Sequence, residues 1–262
     1  EELKDGKMIL IVDDETRENE GDLAIAAEKV TADHINFMAK HGRGLICMPI
    51  IGNRLDSLKI PLMADGRGKG SKHSTAFTVS VDYLKNTSTG ISAEDRARTV
   101  RGILDESSNP EDFAHGGHLF PLRYEEGGVL VRNGHTEAIV DLVMIAGLYP
   151  AGVICEVMNA DGTMARRPDL KKFANDHDIC TVSIKDITSY REQGEDPVAG
   201  IDDAELPTQD DNDPVVRVAD AKLPTEHGEF SAVAYKTLVS DGEHLALIKG
   251  DISGDEPVLV RV

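Results

Sequence analysis

The run Met8-Ile9-Leu10-Ile11-Val12 is continuously apolar, and it is followed at once by the polar segment Asp13-Asp14-Glu15-Thr16-Arg17-Glu18-Asn19-Glu20-Gly21-Asp22. A short apolar run of this kind is typical of a strand that is buried on both faces of a sheet. Loops that leave strand ends commonly carry binding groups. The two segments together predict a sheet-centred fold with a candidate site at one end of a buried strand.

Further strand-like segments follow along the chain as far as residue 191. Apolar residues are continuous or alternate with polar ones at 45–48, 75–81, 153–157 and 180–184, which predicts four more strands. These segments are separated by stretches with helical spacing. The alternation predicts one mixed α/β domain of about 190 residues.

The helices are predicted from capping residues and from apolar residues at helical spacing. Thr31 is a candidate N-cap of a helix that ends at Gly42 and buries Ile35, Met38 and Ala39. Residues 92–95 (Ser-Ala-Glu-Asp) resemble a capping box at the start of a second helix, which runs to residue 104. A third helix is predicted over 136–146, and a fourth begins at Pro168 and ends near residue 177.

The acidic charge of the chain is distributed unevenly. The 262 residues include 28 basic and 47 acidic side chains, which gives a net charge of −19. Residues 192–214 hold nine of the acids, three prolines and no Lys or Arg. This composition favours an extended, self-repelling linker over a binding tail. We therefore expect a domain over residues 1–191, a linker over 192–214 and a second segment over 215–262.

The second segment differs from the first in its pattern. Strand-like runs at 215–223, 229–236, 244–249 and 258–262 are separated by turns that contain glycine. We expect part of a β-rich domain that is truncated where the chain ends.

Composition argues against several classes of function. A net charge of −19 repels nucleic-acid backbones and anionic membrane surfaces. No apolar run approaches the roughly 20 residues of a membrane span. The three cysteines, Cys47, Cys155 and Cys180, make neither a disulfide framework nor a CxxC site, and their low number fits a reducing compartment. The sequence predicts a cytoplasmic protein, with a plastid as the alternative.

The acidic segment over residues 13–22 is the first candidate for chemistry. It holds six acids around the single cation Arg17. Hard cations prefer several carboxylate oxygens, and an arginine beside them can bind a phosphate through two hydrogen bonds. The alternative is a solvated acidic turn. The spacing of the acids does not match an EF-hand loop.

Two further motifs combine histidine with glycine. Arg132-Asn133-Gly134-His135-Thr136 stands at a predicted helix start, where backbone N–H groups, a hydroxyl and an arginine favour phosphate, and where the histidine is a candidate metal ligand or base. The alternative is an ordinary helix start. His115-Gly116-Gly117-His118 suggests a mobile donor or acceptor near a pocket, with a surface loop as the alternative.

Two strand-like segments each contain a residue that is capable of chemistry. Glu156 stands within the apolar run 153–157, where a carboxylate is costly unless it is paired or functional. Cys47 is predicted to be a core thiol and not a nucleophile, because no base is adjacent in the sequence.

Taken in order, these motifs resemble one family, 3,4-dihydroxy-2-butanone 4-phosphate synthase of riboflavin biosynthesis. The combination covers almost all of residues 1–191 and is far more specific than any one motif. The segment 215–262 resembles the opening of GTP cyclohydrolase II through RVADAKLPTEHGEFSAVAY (217–235), EHLALIKGDI (243–252) and VLVRV (258–262). The matching segments of the synthase are DDETRENEGD (13–22), HGRGLICMP (41–49), TAFTVSVD (75–82), TSTGISAEDRARTVR (87–101), HGGHLFPLR (115–123), GGVLVRNGHTEA (127–138) and AGVICEVMNADGTMAR (151–166).

The resemblance implies a fold, an activity and a partner. The fold would be α+β, a mixed sheet with flanking helices in three layers, and the protein would be a homodimer with active sites at or near the interface. The enzyme would be a lyase dependent on Mg²⁺ (or Mn²⁺) that converts D-ribulose 5-phosphate to L-3,4-dihydroxy-2-butanone 4-phosphate and formate. The zinc cysteines and nucleotide site of the cyclohydrolase family lie beyond the segment matched here, so no conversion of GTP is expected from this chain.

The resemblance also implies roles for individual residues. Glu18 and His135 would be the metal ligands, and His118 and Glu156 the catalytic residues. Our own hypothesis is that acids of the 13–22 segment and Glu156 shuttle protons and that His118 assists proton transfer at the leaving groups. The substrate would be bound by Arg17, Glu18, Asp22, Arg132, Asn133, Gly134, His135, Thr136 and Glu156, with Arg132 and Thr136 on the phosphate side.

This sequence departs from the family pattern at one motif and is unusual at another. The family usually has Arg-Pro-Gly-His where this chain has His115-Gly116-Gly117-His118, so the loop loses a cation and a rigid proline. Residues 65–72 are rich in glycine and basic residues, which suggests either a lid or a plain loop.

Two other functions are consistent with the same residues. One is another metal-dependent isomerase or aldolase acting on a sugar phosphate, and the other is a non-catalytic protein that binds anionic metabolites. Formate release from ribulose 5-phosphate discriminates the synthase from both.

Overall fold

The computed structural model describes residues 1–63 and 75–193 in full, together with three strands within residues 215–248. The chain divides into two compact units, Glu1–Pro207 and Thr208–Val262. Over the described ranges no helix is both long and apolar enough to cross a membrane.

The first unit is built on a mixed six-stranded sheet. Its strands in sheet order are β6, β3, β7, β2, β1 and β8, with β1–β8 and β3–β6 parallel and the other pairs antiparallel. Strands β4 and β5 form a separate antiparallel pair. The strand bounds are β1 (Ile9–Val12), β2 (Gly21–Ala26), β3 (Cys47–Ile50), β4 (Val81–Tyr83), β5 (Phe113–His115), β6 (Phe120–Arg123), β7 (Gly152–Glu156) and β8 (Cys180–Ser183).

Helices cover both faces of this sheet. They are α1 (Ala32–Phe37), α2 (Gly52–Ser57), α3 (Ala93–Leu104), α4 (His135–Ile145), α5 (Arg167–His177) and α6 (Ile184–Gln193). A π-helical turn, Met38–Gly42, continues α1, and short 3-10 turns lie at Ala27–Lys29, Pro110–Asp112 and Gly128–Leu130.

The central strand β1 shows why the sheet has helices on both sides. Leu10 and Val12 point into a core that includes residues of α1, α3 and α5, whereas Ile9 and Ile11 point into a second core with α4 and α6. Successive strand residues face opposite sides, so a strand that is covered twice must be apolar at every position. The predicted three-layer α+β fold is confirmed.

The helix that begins after Thr31 is confirmed, with one correction on its buried face. The Thr31 hydroxyl accepts a hydrogen bond from the His34 backbone N–H, and Met38 is buried as predicted. Ala39 is exposed instead of buried. The π-helical turn has wider i→i+5 hydrogen bonding, which rotates Ala39 away from the core.

The predicted strand over 75–81 is wrong except at its last residue. Phe77 and Thr78 make only isolated bridges, and β4 begins at Val81. The Thr78 backbone N–H donates to the carbonyl of Pro121 in β6 at 3.1 Å. A proline has no N–H with which to continue the ladder, so the segment runs alongside β6 without forming a strand.

One helix start differs in detail from its prediction, and one helix was not predicted at all. Ser92 caps α3 by accepting from the Asp95 N–H, but the Asp95 carboxylate does not complete the predicted capping box, because it accepts from the backbones of Ser88 and Gly90. Helix α6 was not predicted. Its signal was present, since the Ser183 hydroxyl accepts from the Asp186 N–H at 3.1 Å, as an N-cap residue does.

The predicted linker overlaps the end of α6. Helix α6 ends at Gln193, so the first two residues of the predicted linker, Glu192 and Gln193, belong to it. Residues 194–214 lie outside the described residues.

The second unit contains an antiparallel sheet. Strands β9 (Val215–Thr225), β10 (Gly228–Thr237) and β11 (Glu243–Ile248) are ordered β11-β10-β9. They match three of the four strands predicted there. The fourth, over 258–262, lies outside the described residues.

A buried ion pair ties α6 to α4. Asp141 of α4 is fully buried and accepts from Arg191 at 2.7 Å, from the Tyr124 hydroxyl at 2.8 Å and from the Val129 N–H at 2.9 Å. Burial raises the pKa of Asp141, and these hydrogen bonds oppose that rise. The last helix of the first unit is thereby attached to α4, the helix that begins with His135.

We expect Arg191→Met to lower the free energy of unfolding by about 3–5 kcal/mol, because it leaves a buried carboxylate without its cation. Urea unfolding followed by the helical circular-dichroism signal measures the change. The control is Lys172→Met, which removes an exposed ion pair with Asp176 and should cost about 0.5 kcal/mol or less. Equal losses in the two variants would contradict the assigned role of Arg191.

Candidate active site

One cavity of about 340 Å³ lies where the acidic segment, β7 and the start of α4 meet. Strand β1 leads into the acidic segment, which returns as β2, and β2 pairs with β7. Of the residues predicted for the site, seven line this cavity: Arg17, Glu18, Asp22, Arg132, His135, Thr136 and Glu156. Its other lining residues are Glu20, Cys47, Thr75, Phe77, Leu122 and Ile154.

Asp13 organises the acidic segment. Its carboxylate is buried and accepts from the backbone N–H groups of Glu18 at 3.1 Å and Glu20 at 2.9 Å. It also pairs with the Arg17 guanidinium at 3.0 Å. The segment is therefore a closed loop held by its own first acid, not a solvated acidic turn.

Arg166 holds the same loop from outside. Its guanidinium donates to the carbonyls of Glu18 and Asn19, both at 2.6 Å. Arg166 precedes the first residue of α5, so that helix fixes where the loop lies. Asn19 has a φ of 55°, in the left-handed region that asparagine tolerates better than most residues.

Three side chains of this region bring possible metal-ligating atoms within 4.8 Å of one another: Asp13, Glu18 and His135. His135 is buried, and its Nε2 atom has no hydrogen-bond partner. Burial lowers the pKa of His135 to about 4, and the ring is hydrogen-bonded to the Ile11 carbonyl. A neutral imidazole oriented through its other nitrogen is the form that ligates metals.

These residues therefore fit a divalent cation. Glu18 is half-exposed and offers a carboxylate oxygen, and His135 offers the unpartnered nitrogen. Asp13 was not predicted as a ligand. Because both of its oxygens already accept hydrogen bonds, we assign it to loop organisation.

Asp22 and Glu156 face each other across β2 and β7. They are register partners, so their side chains lie on the same face of the sheet. Asp22 is buried, and its Oδ1 atom has no hydrogen-bond partner. Burial, followed by the charges of Glu156 and Glu20, raises the pKa of Asp22 well above its usual value. The protonated form of Asp22 is therefore favoured more than that of an ordinary carboxyl.

Backbone groups before β3 hold the Glu156 side chain. Its Oε2 atom accepts from the Leu45 N–H at 2.7 Å. A Cβ at Gly44 would collide with the Glu156 backbone and carboxylate, so this glycine leaves the space in which Glu156 lies. The HGRGLICMP segment thus positions the carboxyl that β7 supplies.

The start of α4 provides the basic side of the cavity. Gly134 is its N-cap and offers no side-chain cap, so backbone N–H groups of the first turn are available to an anion. Arg132 is ion-paired with Glu137 and donates to the Thr75 hydroxyl at 2.9 Å. The glycine also makes room for the Arg132 guanidinium, which a Cβ at position 134 would meet.

His118, Asn133 and Gly134 do not line the cavity. His118 is hydrogen-bonded to Asp82 of β4. Its loop contains Gly116 with a φ of 79°, which a proline, fixed near −65°, does not adopt. The loop therefore differs in backbone from the family pattern Arg-Pro-Gly-His. The segment over 65–72, for which a lid and a plain loop are both expected alternatives, lies outside the described residues.

Only some of the residues that line the cavity are predicted from the sequence. Glu20 belongs to the acidic segment, so its position was signalled. Thr75 and Phe77 come from a segment that was expected to be a strand. Cys47 is buried, as expected of a core thiol, and burial raises its pKa, so the thiol stays protonated although it borders the cavity.

Comparison with known families matches the chain in two parts. The family described as 3,4-dihydroxy-2-butanone 4-phosphate synthase matches residues 1–190, and the family described as GTP cyclohydrolase II matches residues 216–262. The resemblance inferred from the sequence motifs is confirmed.

Curated relatives and solved structures agree with this match. The chain is 47% identical over 261 residues to the riboflavin biosynthesis protein RibBA of Endomicrobium trichonymphae, and 45% identical over 262 residues to the monofunctional riboflavin biosynthesis protein RIBA 2, chloroplastic, of Arabidopsis thaliana. Both matches cover this whole chain, which spans 60% and 52% of those relatives. A solved structure of 3,4-dihydroxy-2-butanone 4-phosphate synthase in complex with two magnesium ions is similar at a TM-score of 0.68 and 38% identity, covering 74% of this chain and 95% of that one.

The raised pKa of Asp22 predicts how stability depends on pH. Above the unfolded pKa of about 3.9, the unfolded state loses the Asp22 proton while the folded state keeps it, so stability falls as pH rises, until the folded pKa is passed. Asp22→Asn removes this titration. In the presence of a chelator, the variant should gain stability relative to the unsubstituted chain as pH rises above about 4, by up to about 1.4 kcal/mol per pH unit until the folded pKa of Asp22 is passed.

Urea unfolding at each pH measures this difference. Asp161→Asn serves as the control, because hydrogen bonds from Thr163 lower the pKa of this exposed carboxyl. The control should show no trend above about pH 5, where the group is ionised in both states. A difference for Asp22→Asn that does not grow with pH would contradict the buried, protonated state.

Proposed function

The chain belongs to the 3,4-dihydroxy-2-butanone 4-phosphate synthase family, and on that premise we propose that it converts D-ribulose 5-phosphate to L-3,4-dihydroxy-2-butanone 4-phosphate and formate. The observation that carries the proposal is the shared cavity. It combines two side chains that can ligate a cation, a basic helix start and a pair of facing carboxyls, one of which, Asp22, has a raised pKa. The relatives' names support a place in riboflavin biosynthesis.

The substrate fits the cavity with its phosphate at α4. Arg132, Thr136 and the first-turn N–H groups offer hydrogen bonds and positive charge to an anion. The sugar chain would then extend toward Glu18, Asp22 and Glu156 on the opposite wall. A volume of about 340 Å³ is near the lower end of the usual range for small-ligand pockets, as suits a five-carbon sugar phosphate.

We assign a divalent cation, Mg²⁺ or Mn²⁺, to Glu18 and His135. When bound, it would supply Lewis-acid polarisation of substrate oxygens. The assignment is supported by the unpartnered Nε2 atom of His135 and by the magnesium complex of the related synthase. Arg17 contacts both Asp13 and Glu18, so it would hold the Glu18 carboxylate in place.

The two facing carboxyls would move protons in opposite directions. Glu156 is held at one oxygen by the Leu45 N–H, and its other oxygen would take the proton from the carbon next to the substrate ketone. Asp22 holds a proton and would give it to the hydroxyl that leaves as water. Each well-placed acid or base contributes about 10²–10⁴-fold to the rate.

We also propose that the protein is a homodimer. Phe77 of the cavity wall is 36% exposed, and three more large apolar side chains are exposed at residues linked to cavity residues: Leu45 is 42% exposed, Met63 54% and Val131 64%. The backbone N–H of Leu45 donates to the Glu156 carboxylate, and the backbone N–H of Met63 donates to the Phe77 carbonyl. Val131 immediately precedes Arg132 in the sequence. An apolar patch of this kind commonly marks a protein interface. In such a dimer, we propose that the partner's His118 completes the cavity, because His118 of this chain does not line it.

The compartment is proposed from the sequence, as the cytoplasm with a plastid as the alternative. The chloroplastic relative from Arabidopsis thaliana is consistent with that alternative.

We expect the purified chain to release formate from D-ribulose 5-phosphate when Mg²⁺ is present and to stop when a chelator is added. A formate dehydrogenase assay measures the product, with other pentose and hexose phosphates as negative substrates. Glu156→Gln should lose about 100-fold or more in turnover. Glu15→Gln, which changes an exposed acid of the same loop, should keep turnover within about twofold. Isomerised sugar without formate would instead favour a sugar-phosphate isomerase.

The dimer proposal predicts that two inactive variants restore each other. His118→Ala and Glu156→Gln chains, each weak alone, should regain about a quarter of the normal turnover when co-expressed, because half the chains pair as heterodimers with one intact composite site. Mass measurement checks that heterodimers form. Heterodimers without recovery would mean that His118 acts within its own subunit, and a monomeric mass would overturn the dimer itself.

A further inference from the structure

Asp82 is the last residue of the TAFTVSVD segment, and the proposed reaction has not so far given it a role. It lies on β4, with a side chain that is 15% exposed. One carboxylate oxygen accepts from the His118 backbone N–H at 2.8 Å, and the other pairs with His118 Nδ1 at 2.7 Å. Both the backbone and the ring of His118 are therefore attached to one carboxylate.

The fold encloses this carboxylate between two glycines. A Cβ at Gly90, whose φ is 90°, would meet both Asp82 oxygens, and a Cβ at Gly117 would meet the Asp82 side chain and the Val81 backbone. Gly90 belongs to the TSTGIS segment that precedes α3. Because both glycines leave room only for Asp82, the carboxylate has little freedom to move away from His118.

The loop that carries His118 is attached to the same strand at both ends. The N–H groups of Gly116 and Gly117 donate to the Ser80 carbonyl, and Leu119 exchanges two hydrogen bonds with Val81. The His118 backbone thus has a fixed position relative to β4. The remaining freedom is in the ring, and Asp82 removes it.

We propose that Asp82 is a positioning residue that sets the orientation and tautomer of His118. This inference rests on the proposed function and on the expectation from the sequence that His118 assists proton transfer. A carboxylate accepts only a donated hydrogen, so the proton of the neutral ring lies on Nδ1 and the lone pair on Nε2. Nε2 is then the atom that takes a proton from the reacting groups and returns it. Asp82 also stabilises the imidazolium that exists between those two steps.

The test begins with Asp82→Asn, which keeps the shape but offers an amide to His118. Formate turnover should fall about 10²–10⁴-fold, as expected when a histidine is held in the wrong tautomer, while KM for ribulose 5-phosphate stays within about threefold. The double variant Asp82→Asn with His118→Ala should be no slower than His118→Ala alone. A further loss in the double variant would mean that Asp82 acts structurally and would overturn the proposal.

Asp112→Asn is the matched control. Asp112 also has a side chain that is 15% exposed, immediately precedes β5, and pairs with Lys85 instead of a histidine. The same change there should leave turnover within about twofold.

A second measurement reads the ring directly and does not depend on activity. In nitrogen-15 histidine spectra of the full chain, the His118 ring should show a protonated Nδ1, and Asp82→Asn should move that proton to Nε2. An unsubstituted chain that releases no formate would overturn the proposed function, while the spectra still decide the role of Asp82. Normal turnover and an unchanged ring in Asp82→Asn would overturn this inference and leave the proposed function standing.

Discussion

Antiparallel pairing of β2 with β7 places Asp22 directly opposite Glu156, and the rest of the site is arranged around this pair. A slip of one residue in that register would turn one of the two carboxyls to the opposite face of the sheet, so that they would no longer face each other. The register is fixed because both strands are buried on both faces, with Leu23 and Cys155 in one core and Ala24 and Ile154 in the other. The same packing that holds the domain together therefore sets the chemistry.

Two facing carboxyls in a buried place repel each other, and the structure accommodates them in two ways. Burial raises the pKa of Asp22, and the Leu45 N–H donates a hydrogen bond to the Glu156 carboxylate. Along the loop, Asp13 and Arg166 hold the backbone that carries Glu18. Such an arrangement costs stability, as clusters of like-charged groups at functional sites commonly do, and a bound divalent cation would offset part of that cost.

The sequence predicted those parts of the fold and site that depend on local chemistry. The apolar run at β1, the Thr31 cap and the isolated acid Glu156 each carry their own signal. Three other features carry no such local signal. A π-helical turn decides the exposure of Ala39, and a proline in the neighbouring strand keeps 75–81 from forming a strand. The role of Asp82 depends on the approach of a loop that is distant in sequence. Thr75 and Phe77 reach the cavity through tertiary contacts that no local pattern contains. Helix α6 was not predicted, although Ser183 is a recognisable N-cap residue in the sequence.

The residues proposed for the reaction lie on two sheets of the first unit. The six-stranded sheet supplies the cavity, the proposed cation ligands and the facing carboxyls, whereas the separate pair β4–β5 supplies Asp82 and the loop of His118. A histidine held this firmly cannot swing toward the cavity of its own chain without breaking its contacts with Asp82. The simplest geometry in which His118 takes part in the reaction is one in which a second subunit supplies its His118, already oriented, to the cavity. Association would then be a condition of catalysis. Substitutions of the exposed apolar residues Leu45, Met63, Phe77 and Val131 that weaken association would therefore impair turnover without changing a reacting group.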